Sequence, residues 1–254
     1  MDPARFLRVL MSLADGALRV GYAAAELAAL PADAAATLID AIAEGSETSD
    51  PDAREALLTV VLVLVDPARG EWVDGLRELG ETRGLLSLGR LLRRGPTPGS
   101  IAPPPDELRV PDYGKGRELS LGERRALARR PDRAAFERLC LDPHPLVIRN
   151  LLGNPKMVED DALRIATLRP ARAPALRELA RTHRWMSRPR VRMSILLNPG
   201  APPGLAIPLV ALCTREDLRD IVRSTETSLA LRGTAQELLA RRPPLLPEDP
   251  GWVH

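Results

Sequence analysis

Apolar residues recur every three or four positions along the first 94 residues, and this spacing predicts a group of short α-helices. The first helix has one apolar face that includes Phe6, Leu10 and Ala14. Asp2-Pro3 and Asp50-Pro51 each place an N-capping side chain before a proline, which suits the first turn of a helix. Further helical patterns cover residues 32–43, 52–65, 72–79 and 85–92.

Residues 57–65 form the most apolar stretch of the chain. A helix that is apolar on all sides belongs in the middle of a domain. Because the end of the stretch is rich in valine, a buried β-strand is the alternative. The capped start and the length of the segment favour a helix.

The second half of the chain contains an internal repeat. Residues 142–155 align with residues 186–199 at a separation of 44, and both segments end on Asn-Pro. Weaker matches on either side have separations of 39 to 42. Periods of this length lie in or near the range of helix-pair repeats. We therefore predict that helices begin at Pro145 and Pro189, that each Asn-Pro step ends its helix and that a second helix follows.

Capping motifs mark two further helix starts in this half. Ser120 and Glu123 form a capping box, and Thr214 with Asp217 is a similar pair with a shorter acid. The last helix is predicted over residues 229–241, before the next proline pair.

Six prolines between residues 95 and 118 separate the two halves. Proline removes a backbone donor and restricts the residue before it, so this stretch is predicted to be an extended connector. An ordered strap packed along one of the domains is the alternative. We predict an all-α protein with a helical domain at 1–94, a Pro/Gly-rich linker at 95–118, a helical repeat domain at 119–242 and an extended tail at 243–254.

The sequence LCLDPHPLVIRNLLGNP at 139–155, followed by LRIA at 163–166, resembles the bacterial leucine-rich-repeat-variant pattern and, more broadly, HEAT-type repeats. The resemblance covers residues 119–242. It implies that these residues form a HEAT-like α-solenoid, a fold that usually serves as a binding scaffold. The predicted fold is therefore an N-terminal helical bundle joined by the Pro-rich linker to this α-solenoid. That family includes a member with a cysteine-ligated iron–sulfur cluster. Since Cys140 and Cys213 alone cannot ligate such a cluster, no cofactor is expected.

The composition narrows the class of protein. With 44% hydrophobic and 28% charged residues, the chain is typical of soluble globular proteins and unlike disordered or collagen-like ones. Two cysteines suggest a reducing compartment. No apolar stretch is long enough for a membrane span, and the N-terminus lacks the pattern of a secretory signal. We therefore expect a cytoplasmic protein.

Charge is divided unevenly along the chain. Residues 1–100 have a net charge of −5 and residues 101–254 of +7, which suggests different surfaces on the two halves. All but two of the 36 basic residues are arginines, a bias that a GC-rich genome also produces.

Several motifs carry little chemistry. Cys140 and His144 have no further cysteine or histidine at a metal-binding spacing, so no metal is expected. The two cysteines are expected to be small core residues. Glu159, Asp160 and Asp161 are expected in the first turn of a helix, where acids complement the dipole. The sequence GKGR at 114–117 lacks the phosphate-binding pattern and is interpreted as a linker end. No catalytic residues are predicted.

Residues 164–192 are the most basic part of the chain, with nine arginines and a single acidic residue. Guanidinium groups suit carboxylates and phosphates, and tryptophan beside arginine is common at interfaces. The alternative is a solvated face with Trp185 buried in helix packing. The candidate partner-binding residues are Arg164, Arg169, Arg172, Arg177, Arg181, Arg184, Trp185, Arg188, Arg190 and Arg192.

The favoured function is a non-enzymatic scaffold or assembly subunit that binds an acidic protein partner through these arginines. The alternative is a HEAT-like nucleic-acid-binding protein, possibly one that processes bases. Such a protein should have aromatic side chains for stacking and a catalytic carboxylate in a basic groove. The chain has only seven aromatic residues, which argues against it.

Overall fold

The computed structural model describes residues 2–96, 108–130 and 132–242 of the 254-residue chain. Over these ranges the protein consists of sixteen α-helices and two short 3-10 helices, without a β-strand. The all-α prediction is therefore confirmed. None of the helices in these ranges is both long enough and apolar enough to cross a bilayer.

The first part of the chain forms six helices. They are α1 (Pro3–Ser12), α2 (Gly16–Ala29), α3 (Ala32–Glu47), α4 (Pro51–Leu64), α5 (Gly70–Arg83) and α6 (Leu86–Leu91). Asp2 and Asp50 cap α1 and α4 through their side chains, as predicted. The strand alternative for residues 57–65 is wrong, because α4 is buried on most of its surface and needs no β-pairing. Sequence reasoning missed α2, whose alanines give little contrast between faces; Ala23 and Leu27 are its buried residues.

The second part forms ten helices. They are α7 (Leu121–Arg129), α8 (Phe136–Leu139), α9 (Pro145–Leu152), α10 (Glu159–Thr167), α11 (Ala173–Ala180), α12 (His183–Met186), α13 (Pro189–Leu196), α14 (Pro203–Val210), α15 (Arg215–Arg223) and α16 (Leu229–Arg241). Both predicted capping motifs are present at α7 and α15, and α16 has its predicted bounds.

Helix bounds recur at the separation seen in the sequence. Helices α9 and α13 are both eight residues long, and α13 begins and ends 44 residues after α9. Helix α14 also begins 44 residues after α10, and α15 begins 42 residues after α11. The order differs at one point, because the short α12 has no counterpart between α15 and α16.

Two buried asparagines make the same contacts at equivalent positions. Nδ2 of Asn154 donates to the carbonyl oxygens of Ala128 and Arg130, both at 2.8 Å, at the C-terminal end of α7. Nδ2 of Asn198 donates likewise to two carbonyls at the end of α10, at 2.8 and 3.2 Å. Each Oδ1 accepts from the backbone N–H two residues further on. Each asparagine therefore satisfies carbonyls that a helix end leaves without partners.

One hydrophobic cluster extends through both parts of the molecule. Helix α4 packs against α2 and α3 of the first part and against α12 and α14 of the second. Val61 and Leu209, from these two parts, belong to the same cluster of buried residues. The two parts therefore share a core, while the division into domains at 1–94 and 119–242 stays a prediction.

The predicted linker is described only at its ends. Residues 97–107 lie outside the described residues, as does the predicted tail at 243–254. Residues 108–118 are not helical, and the buried Tyr113 donates its hydroxyl to Asp142 at 2.5 Å. Arg124 of α7 donates to both oxygens of the same carboxylate, at 2.8 and 2.7 Å. This end of the segment is therefore attached to the second part of the molecule.

A buried carboxylate joins the two parts. Glu47 ends α3 and is only 3% exposed. Its carboxylate accepts two hydrogen bonds from Arg90 at 2.9 and 2.7 Å and one from Ser87 at 3.1 Å. Arg241, at the end of α16, donates to the same carboxylate at 2.5 Å. Glu47 therefore links α3 and α6 to the last helix of the chain.

Replacement of Glu47 by alanine leaves two guanidinium groups without their shared acceptor. We expect the free energy of unfolding to fall by about 3–5 kcal/mol, the usual cost of breaking a buried ion pair from one side. Urea denaturation monitored by circular dichroism measures this. The matched control is Glu78→Ala, an exposed acid inside α5, which should change stability by less than about 0.5 kcal/mol. Equal effects of the two substitutions would contradict the proposed role of Glu47.

Replacement of Asn198 by alanine leaves two carbonyls at the end of α10 without a donor. We expect a loss of about 1–3 kcal/mol in the free energy of unfolding, because those groups stay buried. The same denaturation experiment applies. Asn150→Ala is the control, since Asn150 is partly exposed and bonds only to Leu146 in its own helix. The assignment fails if Asn198→Ala is as stable as the Asn150 control.

Candidate interaction surface

The arginines of residues 164–192 are dispersed over several helices, and four of them form ion pairs with acids elsewhere in the chain. The pairs are Arg164 with Glu137 at 3.2 Å, Arg169 with Glu226 at 2.7 Å, Arg181 with Asp66 at 3.5 Å and Arg190 with Glu159 at 3.8 Å. These arginine side chains are between 35% and 71% exposed. Exposed pairs contribute little to stability, so Arg164, Arg169 and Arg190 remain accessible to a partner.

Three arginines of the run bind backbone carbonyls and form no ion pair with a described residue. Arg184 donates to the carbonyls of Asn154 at 3.2 Å and Met157 at 2.7 Å. Arg172 donates to a carbonyl in the loop after α8, and Arg192 to the carbonyl at the end of α12, at 2.5 Å. Burial lowers the pKa of both Arg172 and Arg192. These three side chains connect neighbouring segments of the fold.

Trp185 lies inside the protein. Its side chain is 2% exposed, and its indole N–H donates to the carbonyl of Leu152 at 3.1 Å. The guanidinium of Arg184 lies 4.4 Å from the ring centroid and so covers the indole from outside. Trp185 is therefore a helix-packing residue covered by a cation, and it is not available to a partner, contrary to the prediction from sequence.

Arg177 and Arg188 have a different environment from the rest of the run. Both are exposed, and neither forms an ion pair or a side-chain hydrogen bond with another described residue. Arg188 and Arg190 flank the proline that begins α13, and Arg190 is 71% exposed. The start of α13 is therefore the most accessible part of the arginine run.

A cleft of about 560 Å³ lies where α4, α5, α11 and α14 meet. Apolar side chains such as Val65, Val73 and Leu205 form part of its wall. The charged side chains that line it are Arg77, Arg93, Arg94, Arg177, Asp66 and Asp74. Only Arg177 was a candidate from sequence. No sequence signal places Arg94 beside Arg177, which lies 83 positions further along the chain.

The cysteines are core residues, as the sequence suggested. Cys140 and Cys213 are both buried and free, and burial raises the pKa of each thiol to about 12. A thiol with such a pKa is a poor nucleophile near neutral pH. In the part of the chain that the structure describes, no three His, Cys, Asp or Glu side chains form a group that could hold a metal ion.

The acids at 159–161 have the role that their position predicts. All three lie in the first turn of α10. Asp161 accepts from the backbone N–H of Val158 at 3.0 Å and from Arg133 at 2.5 Å. The cluster is thus a helix N-terminus closed by its own side chain.

His183 lies at the contact between α2 and α12. A Cβ atom on Gly16, the first residue of α2, would lie 2.2 Å from the imidazole ring, so only glycine allows this approach. Burial, then the charge of Arg19, lowers the pKa of His183, while Asp15 and Glu55 act in the opposite direction. The neutral imidazole is therefore favoured at this contact.

Comparison with known protein families, curated proteins and solved structures finds no match for this chain.

The lowered pKa of His183 makes the stability of the folded state depend on pH. As the pH decreases, the unfolded chain takes up a proton on His183 at about pH 6.5, whereas the folded protein does so only at a lower pH. The contribution of His183 to the free energy of unfolding is therefore complete above that pH and is lost as the pH decreases toward the folded-state pKa. We expect the stability difference between the wild type and His183→Gln to be smaller at about pH 5.5 than at about pH 7.5. Urea denaturation at both pH values measures it. A purely steric role for His183 would instead give the same difference at both.

Proposed function

We propose that the protein is a non-enzymatic interaction scaffold or assembly subunit that binds an acidic protein partner through exposed arginines. The observation that carries this is the pair Arg188 and Arg190 at the start of α13. Arg188 has no partner among the described residues, and the only pair of Arg190 is long, at 3.8 Å. Guanidinium groups bind carboxylates with two parallel hydrogen bonds, which gives both affinity and orientation.

The other accessible arginines extend this surface. They are Arg164, Arg169 and Arg177. Arg181 is left out because the half-buried Asp66 and the buried Glu178 hold its guanidinium group. Exposed ion pairs exchange readily for a partner's carboxylates because each contributes little to stability. Arg172, Arg184 and Arg192, which bind carbonyls and form no ion pair with a described residue, support the fold and do not belong to the proposed surface.

We further infer that α7 to α16 stack as HEAT-like repeats. The recurrence of α9 as α13 and the equivalent bonds of Asn154 and Asn198 support this. A stack of helix pairs presents successive loops and helix starts along one edge. Such an edge suits an extended protein partner.

Nucleic acid is the less favoured partner. Base stacking on single strands requires exposed aromatic side chains. Across residues 2–96, 108–130 and 132–242 every aromatic side chain is buried or half-buried. Phe6, Phe136 and Trp185 are among the largest fully buried residues.

Reversal of the charge at Arg188 and Arg190 tests the proposal. Purified Arg188→Glu/Arg190→Glu protein and wild-type protein are immobilised and used to capture partners from a lysate of the source organism, followed by mass spectrometry. We expect the wild type to capture an acidic protein. The variant should capture about tenfold less of it, because each lost charge-assisted bond is worth about 1.5–3 kcal/mol. Both side chains are exposed, so the variant should keep the helical circular-dichroism spectrum.

Arg219→Glu/Arg223→Glu is the matched control, with the same charge change on two exposed arginines of α15. It should capture the partner as the wild type does. Equal capture by all three proteins would reject the surface. Binding of labelled DNA or RNA that weakens steeply with salt would instead favour the nucleic-acid alternative.

A further inference from the structure

The cleft between α4, α5, α11 and α14 holds acids that are already neutralised. Asp74 is paired with Arg77, whose Nε also donates to the carbonyl of Leu92 at 2.7 Å. Asp66 is paired with Arg181 at 3.5 Å. Neither carboxylate is therefore available to the remaining cations of the cleft.

Arg94 and Arg177 are the cations that remain. Arg93, the third, is held by Glu237 at 2.7 and 2.8 Å. Arg94 follows α6, whereas Arg177 lies in α11. Both are exposed, and neither has an ion pair or side-chain hydrogen bond to a described residue. Because two guanidinium groups without an acid partner among the described residues line one concave surface, the potential there favours an anionic ligand.

Two helix N-termini add to the positive potential of the cleft. Gly70 begins α5 and Pro203 begins α14, and both residues line the cleft. Neither helix has a side-chain cap at its start. Pro202 and Pro203 at the start of α14 have no N–H, and the N–H groups of Leu205 and Ala206 donate to the carbonyl of Pro202. Both helix starts therefore add positive potential through the helix dipole.

The remaining wall of the cleft is apolar. Val65, Val73 and Leu205 contribute to it, and its volume of about 560 Å³ lies within the range of sites that enclose a ligand. An anion with no apolar portion would leave this surface exposed to water. An occupant with both carboxylates and an apolar side chain satisfies both parts of the wall.

We propose that this cleft binds an acidic peptide segment of the partner. Two carboxylates of the segment bind Arg94 and Arg177, and an apolar side chain between them packs against Val73 and Leu205. The inference rests on the proposed function, since it assumes an acidic protein partner. It adds a site, formed jointly by both parts of the chain, that is separate from Arg188 and Arg190.

Fluorescence anisotropy with two labelled peptides tests the cleft. One peptide alternates glutamate and leucine, and the other alternates glutamine and leucine. The full-length protein should bind the first at low ionic strength and the second at least about tenfold more weakly, since the charge-assisted bonds are lost. Failure to bind the first peptide, or equal affinity for both, would overturn the proposal.

Arg94→Gln and Arg177→Gln test the two side chains. Each should weaken binding of the acidic peptide about tenfold, with an unchanged circular-dichroism spectrum because both positions are exposed. Arg219→Gln/Arg223→Gln is the control outside the cleft and should change affinity by no more than about twofold. Wild-type affinity in Arg94→Gln/Arg177→Gln would reject the site.

Two further outcomes separate this inference from the proposed function. If Arg94→Gln/Arg177→Gln binds the peptide normally while Arg188→Glu/Arg190→Glu still loses the partner, the cleft is rejected and the surface stands. Inorganic phosphate, added at matched ionic strength, should not displace the peptide. If phosphate displaces it, the class of ligand is wrong.

Discussion

The buried carboxylate of Glu47 is the constraint on which the arrangement of the chain depends. A buried charge is tolerated only with partners of opposite charge and satisfied hydrogen bonds. Its partners come from α6, through Arg90, and from α16, through Arg241. The end of the first part and the end of the last helix must therefore meet at α3. Helix α14 contacts both α16 and α4, so the same region also contains the core that the two parts share.

The arginine-rich composition has two uses in this fold. Some arginines donate hydrogen bonds to carbonyls at helix ends and junctions, as Arg184 does to the carbonyls of Asn154 and Met157. Others, including Arg94 and Arg188, are exposed without a partner in the described part of the chain. The charge difference between the halves is also used internally, since Asp66 pairs with Arg181 across the two parts. Only the remainder is available for the proposed partner.

Local structure followed closely from the sequence where a side chain acts on its own backbone. The Asp-Pro starts, the two capping boxes and the helix over 229–241 were all predicted with the correct bounds or caps, because such signals span only a few residues. Pro145 and Pro189 placed the starts of α9 and α13 correctly for the same reason. Helix α2 was missed since its alanine-rich sequence has no distinct apolar stripe. The proposed surface was predicted in part: Arg188 and Arg190 are accessible, whereas Trp185 is buried.

The sequence by itself determined the all-helical character, most helix starts and the burial of the cysteines, since these depend on local periodicity, capping and polarity. Only the tertiary structure decided which arginines are occupied, because a guanidinium group's partner is set by which helices pack together and not by its neighbours in the chain. Arg94 and Arg177 illustrate this, as they line one cleft although 83 residues separate them. Trp185 illustrates the converse, since its basic neighbours suggested a surface while packing against α9 placed it in the core.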